Sequence, residues 1–202
     1  MKKIVIACVA VLVLTAVVSA QVKFNFGVKA GVSMANNLWS DDDGTEKSIL
    51  RPTFGVFALI ELSPTLAIQP EINYLTMGEQ WDITDGTAIE TFNYLHIPIL
   101  LRARLMKEGK FVPVVFAGPA VGFLLSAKDS GDDVKPFFKS TDFGADFGLG
   151  AEIGMGKMKG LVDLRYYMGL TDAFKGSPIA IMAPIDFSMK NRGFIFTVGL
   201  IF

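Results

Sequence analysis

Eight stretches between residues 22 and 202 place apolar side chains at every second position, with polar or small residues between them. A period of two belongs to strands, whose successive side chains point to opposite faces. The plainest case is "DFGADFGLGAEIGM", where Phe143, Ala145, Phe147, Leu149, Ala151, Ile153 and Met155 alternate with Asp142, Gly144, Asp146, Gly148, Gly150, Glu152 and Gly154. In "YLHIPILLRARL", Leu95, Ile97, Ile99, Leu101, Ala103 and Leu105 share one face, and Tyr94, His96, Pro98, Leu100, Arg102 and Arg104 the other. A helix would set the two arginines about 200° apart and give neither flank a uniform character. The other runs lie at 22–34, 53–62, 66–74, 111–126, 162–171 and 193–202. Repeated strands of about ten residues separated by turn residues predict an all-β, eight-stranded antiparallel up-and-down transmembrane β-barrel.

The connections alternate in length. Those at 63–65, 107–109 and 156–157 are tight, whereas 35–50, 78–91, 127–141 and 172–191 read as long polar loops. Eight strands joined in this way leave both chain ends on the short-turn side, which in an outer membrane is the periplasmic side.

The face that carries charge decides the solvent. Turned to water, the apolar parity would expose a belt of Phe, Leu, Ile and Val far larger than a soluble monomer shows. Turned to lipid, it leaves the polar parity inside. That inner set holds Lys23, Lys29, Arg102, Arg104 and Arg165 against Glu61, Glu71, Asp146, Glu152 and Asp163, a lumen charge network that sums to zero. An eight-stranded interior is just wide enough to be filled by side chains, so a balanced set can pair there. The expectation is a plugged barrel, since unpaired buried charge is costly. Closure also satisfies the backbone in hydrocarbon. Phe24, Tyr74, Phe92, Phe111, Phe143, Tyr166 and Phe194, near the strand ends, suit interfacial aromatic girdles.

The amino terminus accounts for part of the 51% hydrophobic content. Lys2 and Lys3, the apolar run 4–18 and Val18-Ser19-Ala20 before Gln21 form the three parts of a cleavable secretory signal peptide. This divides the chain into a signal at 1–20 and a barrel at 21–202. The run is short of the roughly 20 residues of a spanning helix. A lipoprotein signal at Val5-Ile6-Ala7-Cys8 is the weaker reading, because the apolar run would continue through the modified cysteine. Cleavage after Ala20 removes Lys2, Lys3 and the single cysteine, leaving 17 basic and 20 acidic residues, a formal charge of −3 and no disulfide. Such a balance gives nucleic acid nothing to bind.

The segments "YLHIPILLRARL", "PVVFAGPAVGFLLS", "DFGADFGLGAEIG", "LVDLRYYMGLTD" and "RGFIFTVGLIF" cover almost all of 22–202. In order and spacing they resemble the PorT-type outer-membrane barrel domain of Bacteroidetes-like bacteria. The resemblance implies an outer-membrane barrel, and it implies that Phe202 ends a terminal signal read by the barrel-assembly machinery. Members of that family range from structural barrels to accessory parts of a secretion system.

Candidate chemistry is sparse. His96, the single histidine, fits a packed inward side chain bonded to a neighbour; the alternative is the general base of an outer-leaflet lipid-modifying enzyme. "GLGAEIG" is a dinucleotide fingerprint only if a helix follows, and its glycines instead alternate along a strand, where they relieve crowding. Asp41, Asp42, Asp43 and Glu46, then Glu79, Asp82, Asp85 and Glu90, make two loops acidic without calcium-loop spacing. "SPIAIMAPIDF", in the fourth loop, is apolar enough to fold over the barrel mouth. No residue pattern asks for a catalytic group, cofactor or metal. The reading is a non-enzymatic barrel with a structural or interaction role, its partners being outer-membrane lipid, the assembly machinery and a surface or secretion partner met through the long loops. A secretion accessory and a narrow solute channel are the remaining alternatives.

Overall fold

The computed structural model describes residues 23–39, 47–83, 86–174 and 189–202. The segment read as a signal peptide, the stretch 40–46, and "SPIAIMAPIDF" lie outside them. The described chain forms β1 (Lys23–Trp39), β2 (Lys47–Ser63), β3 (Leu66–Ile83), β4 (Gly86–Arg104), β5 (Phe111–Asp129), a two-residue β6 (Asp132–Asp133), β7 (Thr141–Met155), β8 (Met158–Gly169) and β9 (Met189–Ile201). Every pairing is antiparallel, each long strand pairs with the next long strand along the chain, β5 with β7 included, and β1 against β9 completes a closed ring of eight long strands. The short β6 folds back on the end of β5.

The register fixes the barrel's width. Starting at Lys23, hydrogen-bonded partners run through Glu61, Ala67, Arg102, Phe116, Gly148, Arg165 and Ile195 and return to β1 at Ser33. The sheet therefore closes with a stagger of ten residues, and the strands tilt steeply around an interior that side chains can fill.

The apolar parity lies outside. Phe26 and Val28 on β1, Phe54 and Val56 on β2, Leu101 on β4, Leu149 on β7 and Phe196 on β9 are all exposed. Inside, two apolar clusters bracket a polar centre. Phe57, Leu59, Ala67, Leu161 and Ile201 pack at the turn end. At the loop end Leu75, Met77, Phe92, Tyr94, Leu124, Tyr167, Met189 and Ile195 pack with Phe138 and Ala173, which connecting segments bring over the mouth. This cover is tied down by backbone bonds from Lys139 to the Ala173 carbonyl and from Ala173 to the Met189 carbonyl.

Two expectations about the loop end are corrected. Much of 35–50 and 78–91 is strand: β1 runs to Trp39, β3 to Ile83, and β4 begins at Gly86. Thr76 donates to Asn93 at 2.8 Å and Asn93 to Ser126 at 2.8 Å, so polar cross-strand bonds carry the ladder past the point where alternation stops. Phe92 is no girdle residue; it is fully buried against Phe138 with ring centroids 4.8 Å apart. It shares the parity of Tyr94 and His96 and therefore points inward. Phe24, Phe111, Phe143 and Phe194 do face outward.

Candidate functional site

A band of ionised and amide side chains crosses the lumen between the apolar clusters. At its centre stands Glu71 of β3, fully enclosed. Its carboxylate accepts from Lys29 Nζ at 2.6 Å, from both terminal nitrogens of Arg165 at 2.9 and 2.8 Å, from Gln69 at 2.7 Å and from Asn73 at 2.9 Å. Gln69 and Asn73 flank Glu71 on the same face of β3, as alternation requires, while Lys29 comes from β1 and Arg165 from β8 across the lumen. A carboxylate can accept four or more such bonds, and the bidentate arginine is the stronger kind.

From this centre the network runs towards both ends. Arg165 also reaches Asp146 at 3.4 Å, and Asp146 bonds His96 Nε2 at 2.8 Å. The His96 ring meets Tyr167 edge-on at 4.9 Å between centroids. Tyr167 and Thr171 donate to Asp142, and Asn191 donates both to Asp142 and to the Tyr94 hydroxyl. Towards the turn end Arg102 straddles Asp163 at 3.2 Å and approaches Glu152 at 3.4 Å. Arg104 bonds Glu152 and Glu61, both at 3.0 Å. The Phe116 ring lies between the two arginine layers, 5.5 Å from the Arg102 guanidinium carbon and 5.4 Å from that of Arg165.

Of the ten residues read as the lumen network, nine are thus joined by ion pairs. Lys23 is not; it is exposed at the turn-end mouth. There it borders an open cavity of about 610 Å³ with Glu61, Arg104, Lys107, Glu152 and Lys159. Lys159 reaches Glu152 from the rim at 3.4 Å. Phe202 is exposed at the same end, with its amide bonded to the Phe26 carbonyl. Asp142, Tyr167 and Asn191 were missed by sequence reasoning. Asp142 and Tyr167 sit on the inward parity of their strands, and that parity was the signal that could have found them.

Each of the nine charged side chains has an ionic partner, while the Gln69 Oε1, Asn73 Oδ1, Asp146 Oδ1 and Asn191 Oδ1 atoms and the Arg102 Nε atom are buried without a hydrogen bond. His96 is 2% exposed and lies below the apolar cover, with its Nε2 committed to Asp146. The space beside it, lined by Lys29, Asn73, His96 and Arg165 among others, is about 10 Å³, room for about one water. Among the described residues no group of three or more His, Cys, Asp or Glu side chains converges as a metal site. The acidic stretch 40–46 and residue Asp85 lie outside the described residues.

Comparison with known proteins agrees with this architecture. The family described as Outer membrane protein beta-barrel domain matches residues 19–175. The crystal structure of Neisserial surface protein A aligns with a TM-score of 0.55 at 11% identity, covering 89% of this chain and 98% of that one. The outer membrane protein OprG from Pseudomonas aeruginosa aligns with a TM-score of 0.55 at 12% identity, covering 88% of this chain and 95% of that one. No curated protein matches the sequence. Identities this low carry the fold and nothing about ligands.

Proposed function

This chain belongs to the outer membrane protein beta-barrel domain family and resides in the outer membrane, and on that premise we propose that it is a sealed, non-conducting barrel with a structural or interaction role exercised at its loop end. The observation that carries this reading is the filled lumen. Nine ionised side chains are paired across it, and an apolar cluster closes it above. A solute would have to break a bidentate arginine pair and displace Phe92, Tyr94 and Leu124. Breaking one buried pair costs about 3–5 kcal/mol, and at least two layers stand in series.

The loop end supplies what the lumen does not. The β3–β4 hairpin extends by eighteen and nineteen residues, against roughly 9–11 needed to cross a bilayer. It therefore stands clear of the membrane as a rigid ladder able to present a recognition surface. We assign the chain more finely to the PorT-type barrels on the quoted segments alone. Planar-bilayer recordings of the folded protein test the proposal. No step conductance is expected; reproducible ohmic steps would overturn it in favour of the channel reading.

The proposal is also non-enzymatic. His96 is buried with its Nε2 bonded to Asp146, and the route from the outer leaflet is blocked by Phe138 and its neighbours. His96→Ala should leave the acylation pattern of outer-leaflet lipid unchanged by mass spectrometry, and an altered pattern would restore the lipid-enzyme alternative.

A further inference from the structure

The paired band fills the middle of the lumen but leaves its turn end open, as a cavity of about 610 Å³. In an outer membrane that end faces the periplasm. The walls are inward-facing residues of six strands: Lys23 on β1, Glu61 on β2, Arg104 on β4, Val112 on β5, Glu152 on β7 and Lys159 on β8. One inward step deeper on their strands stand Leu59, Arg102 and Leu161, all buried. The cavity is thus a blind well with a single mouth, and the barrel wall separates it from lipid.

Most of the carboxylates of the well are already engaged. Arg104 holds Glu61 and Glu152 at 3.0 Å each, Asn25 donates to Glu61 at 3.2 Å, and Lys159 reaches Glu152 at 3.4 Å. Lys23 and Lys107 line the same well, are exposed, and have no carboxylate partner among the described residues. They stand on opposite sides of the ring, Lys23 at the start of β1 and Lys107 on the β4–β5 turn. Glu108 is the one lining acid outside the pairs, and Lys110 and Lys157 on the rim turns outnumber it. The field in the well is therefore positive, and a concave low-dielectric wall focuses it on whatever enters. Leu62, Pro64 and Val112 add apolar surface to the lining. The volume falls among small-molecule sites, which span about 300–1,000 Å³.

We propose that this well binds a small organic molecule from the periplasm that carries a phosphate or carboxylate at each end, one met by Lys23 and the other by Lys107, with its carbon skeleton against Leu62, Pro64 and Val112. The two cations without partners select an anion, and their placement across the ring selects one with separated charges. The apolar lining selects an organic body over an inorganic ion, and the barrel wall selects a soluble ligand over a lipid. The site is independent of the role assigned to the loop end. It needs no passage through the lumen, since the ligand enters and leaves by the same mouth.

The test uses the mature chain folded in zwitterionic micelles at fixed ionic strength, titrated separately with fructose 1,6-bisphosphate, adipate, fructose and inorganic phosphate and followed by the NMR amide signals. Saturable shifts are expected for the bisphosphate or for adipate at Lys23, Val112, Gly154 and Lys159, and the tighter of the two identifies the oxyanion. Fructose should give none, and inorganic phosphate should bind more weakly than either. Lys23→Gln with Lys107→Gln should weaken the bisphosphate or adipate about tenfold, each exposed ion pair contributing about a threefold factor. Lys128→Gln with Lys190→Gln, an equal change of charge at the loop end, should not. Gly154→Leu should also weaken binding, because a Cβ there meets nothing closer than the Lys110 backbone at 3.8 Å and the side chain would occupy the well. Absence of binding by both organic anions overturns the proposal without recourse to a variant. So does fructose or inorganic phosphate binding as tightly as they do, an equal loss in the control pair, or shifts confined to the loop end.

Discussion

Glu71 shows what one side chain can be asked to hold. It is the shared acceptor for Lys29 and Arg165, both buried. Its removal strands Lys29 and leaves Arg165 only the longer contact to Asp146 in a low-dielectric interior, whereas removal of Glu71 together with Lys29 leaves Arg165 and Asp146 as a one-to-one pair. Glu71→Ala is therefore expected to destabilise the barrel by about 3–5 kcal/mol, measured as a fall in the urea midpoint for unfolding from lipid vesicles. Lys29→Met and Glu71→Leu together should cost less than the single change. If the double variant is the weaker protein, the network stabilises by more than mutual neutralisation. Asp172, outside the spanning strands, offers a pH-dependent case. Partial burial pushes its carboxyl up, but the amides of Met189 and Phe174 and the Lys139 ammonium outweigh that and hold it below the ordinary value. A lowered native value means the contribution is complete above the unfolded value, about 3.9, and is lost as pH falls through the lower native one. The NMR amide signals of Phe174 and Met189 should therefore shift below about pH 4, and Asp172→Asn should abolish that titration. The half-exposed carboxylate makes the effect on global stability small.

At the scale of strands, what was legible followed from which solvent each face meets. Where one face meets lipid and the other a packed lumen, alternation is strict, and all eight long strands with their inward residues could be read from it. Where β3 and β4 run on towards the loop end, the inward face buries the charged Glu79 and Glu90 while polar residues such as Gln80 enter the outward row, so the apolar–polar pattern lapses and only the ladder continues, and Gly78, Glu79, Gln80 and Ile89 read as loop while pairing as strand. Pairing partners were illegible for a different reason. Parity says whether a side chain points inward, not at which height, and height depends on the ten-residue stagger. Arg165 and Glu71, 94 residues apart, meet only because of it. The glycines of β7 belong to this scale too. A Cβ on Gly148 would lie 2.8 Å from the Phe116 ring and closer still to the Leu164 carbonyl, while one on Gly144 would lie 2.5 Å from the Tyr167 ring. Gly148→Val should thus push Phe116 off the arginines and cost about 1–3 kcal/mol by overpacking, seen as a lower unfolding midpoint. An unchanged midpoint would mean that Phe116 has room to move.

The whole molecule inverts the arrangement of a soluble protein, with its ionic residues inside and its large apolar residues outside, and this inversion makes folding depend on the surrounding phase. Phe26 at 62% exposure and Phe54 at 56% stand on the adjoining strands β1 and β2, and Leu149 at 59% stands on β7 on the far side of the ring. In water such a belt would far exceed the few hundred square ångströms that a soluble monomer leaves uncovered. In a bilayer the same belt is satisfied, while ring closure leaves no open strand edge to hydrocarbon. The consequence reaches the interior, because the lumen pairs form only if the ring closes, and the ring closes stably only if its outside is solvated by apolar chains. Transfer of the mature chain from urea into plain buffer is therefore expected to give aggregate, and transfer into detergent micelles or short-chain lipid vesicles a folded barrel. On a cold gel the unboiled micellar sample should migrate apart from the boiled one, since a closed antiparallel ring resists the denaturing detergent until heated. A monodisperse, folded monomer in buffer free of amphiphile would require the apolar wall to be covered by something else, and would contradict the assignment of inside and outside on which the paired lumen rests.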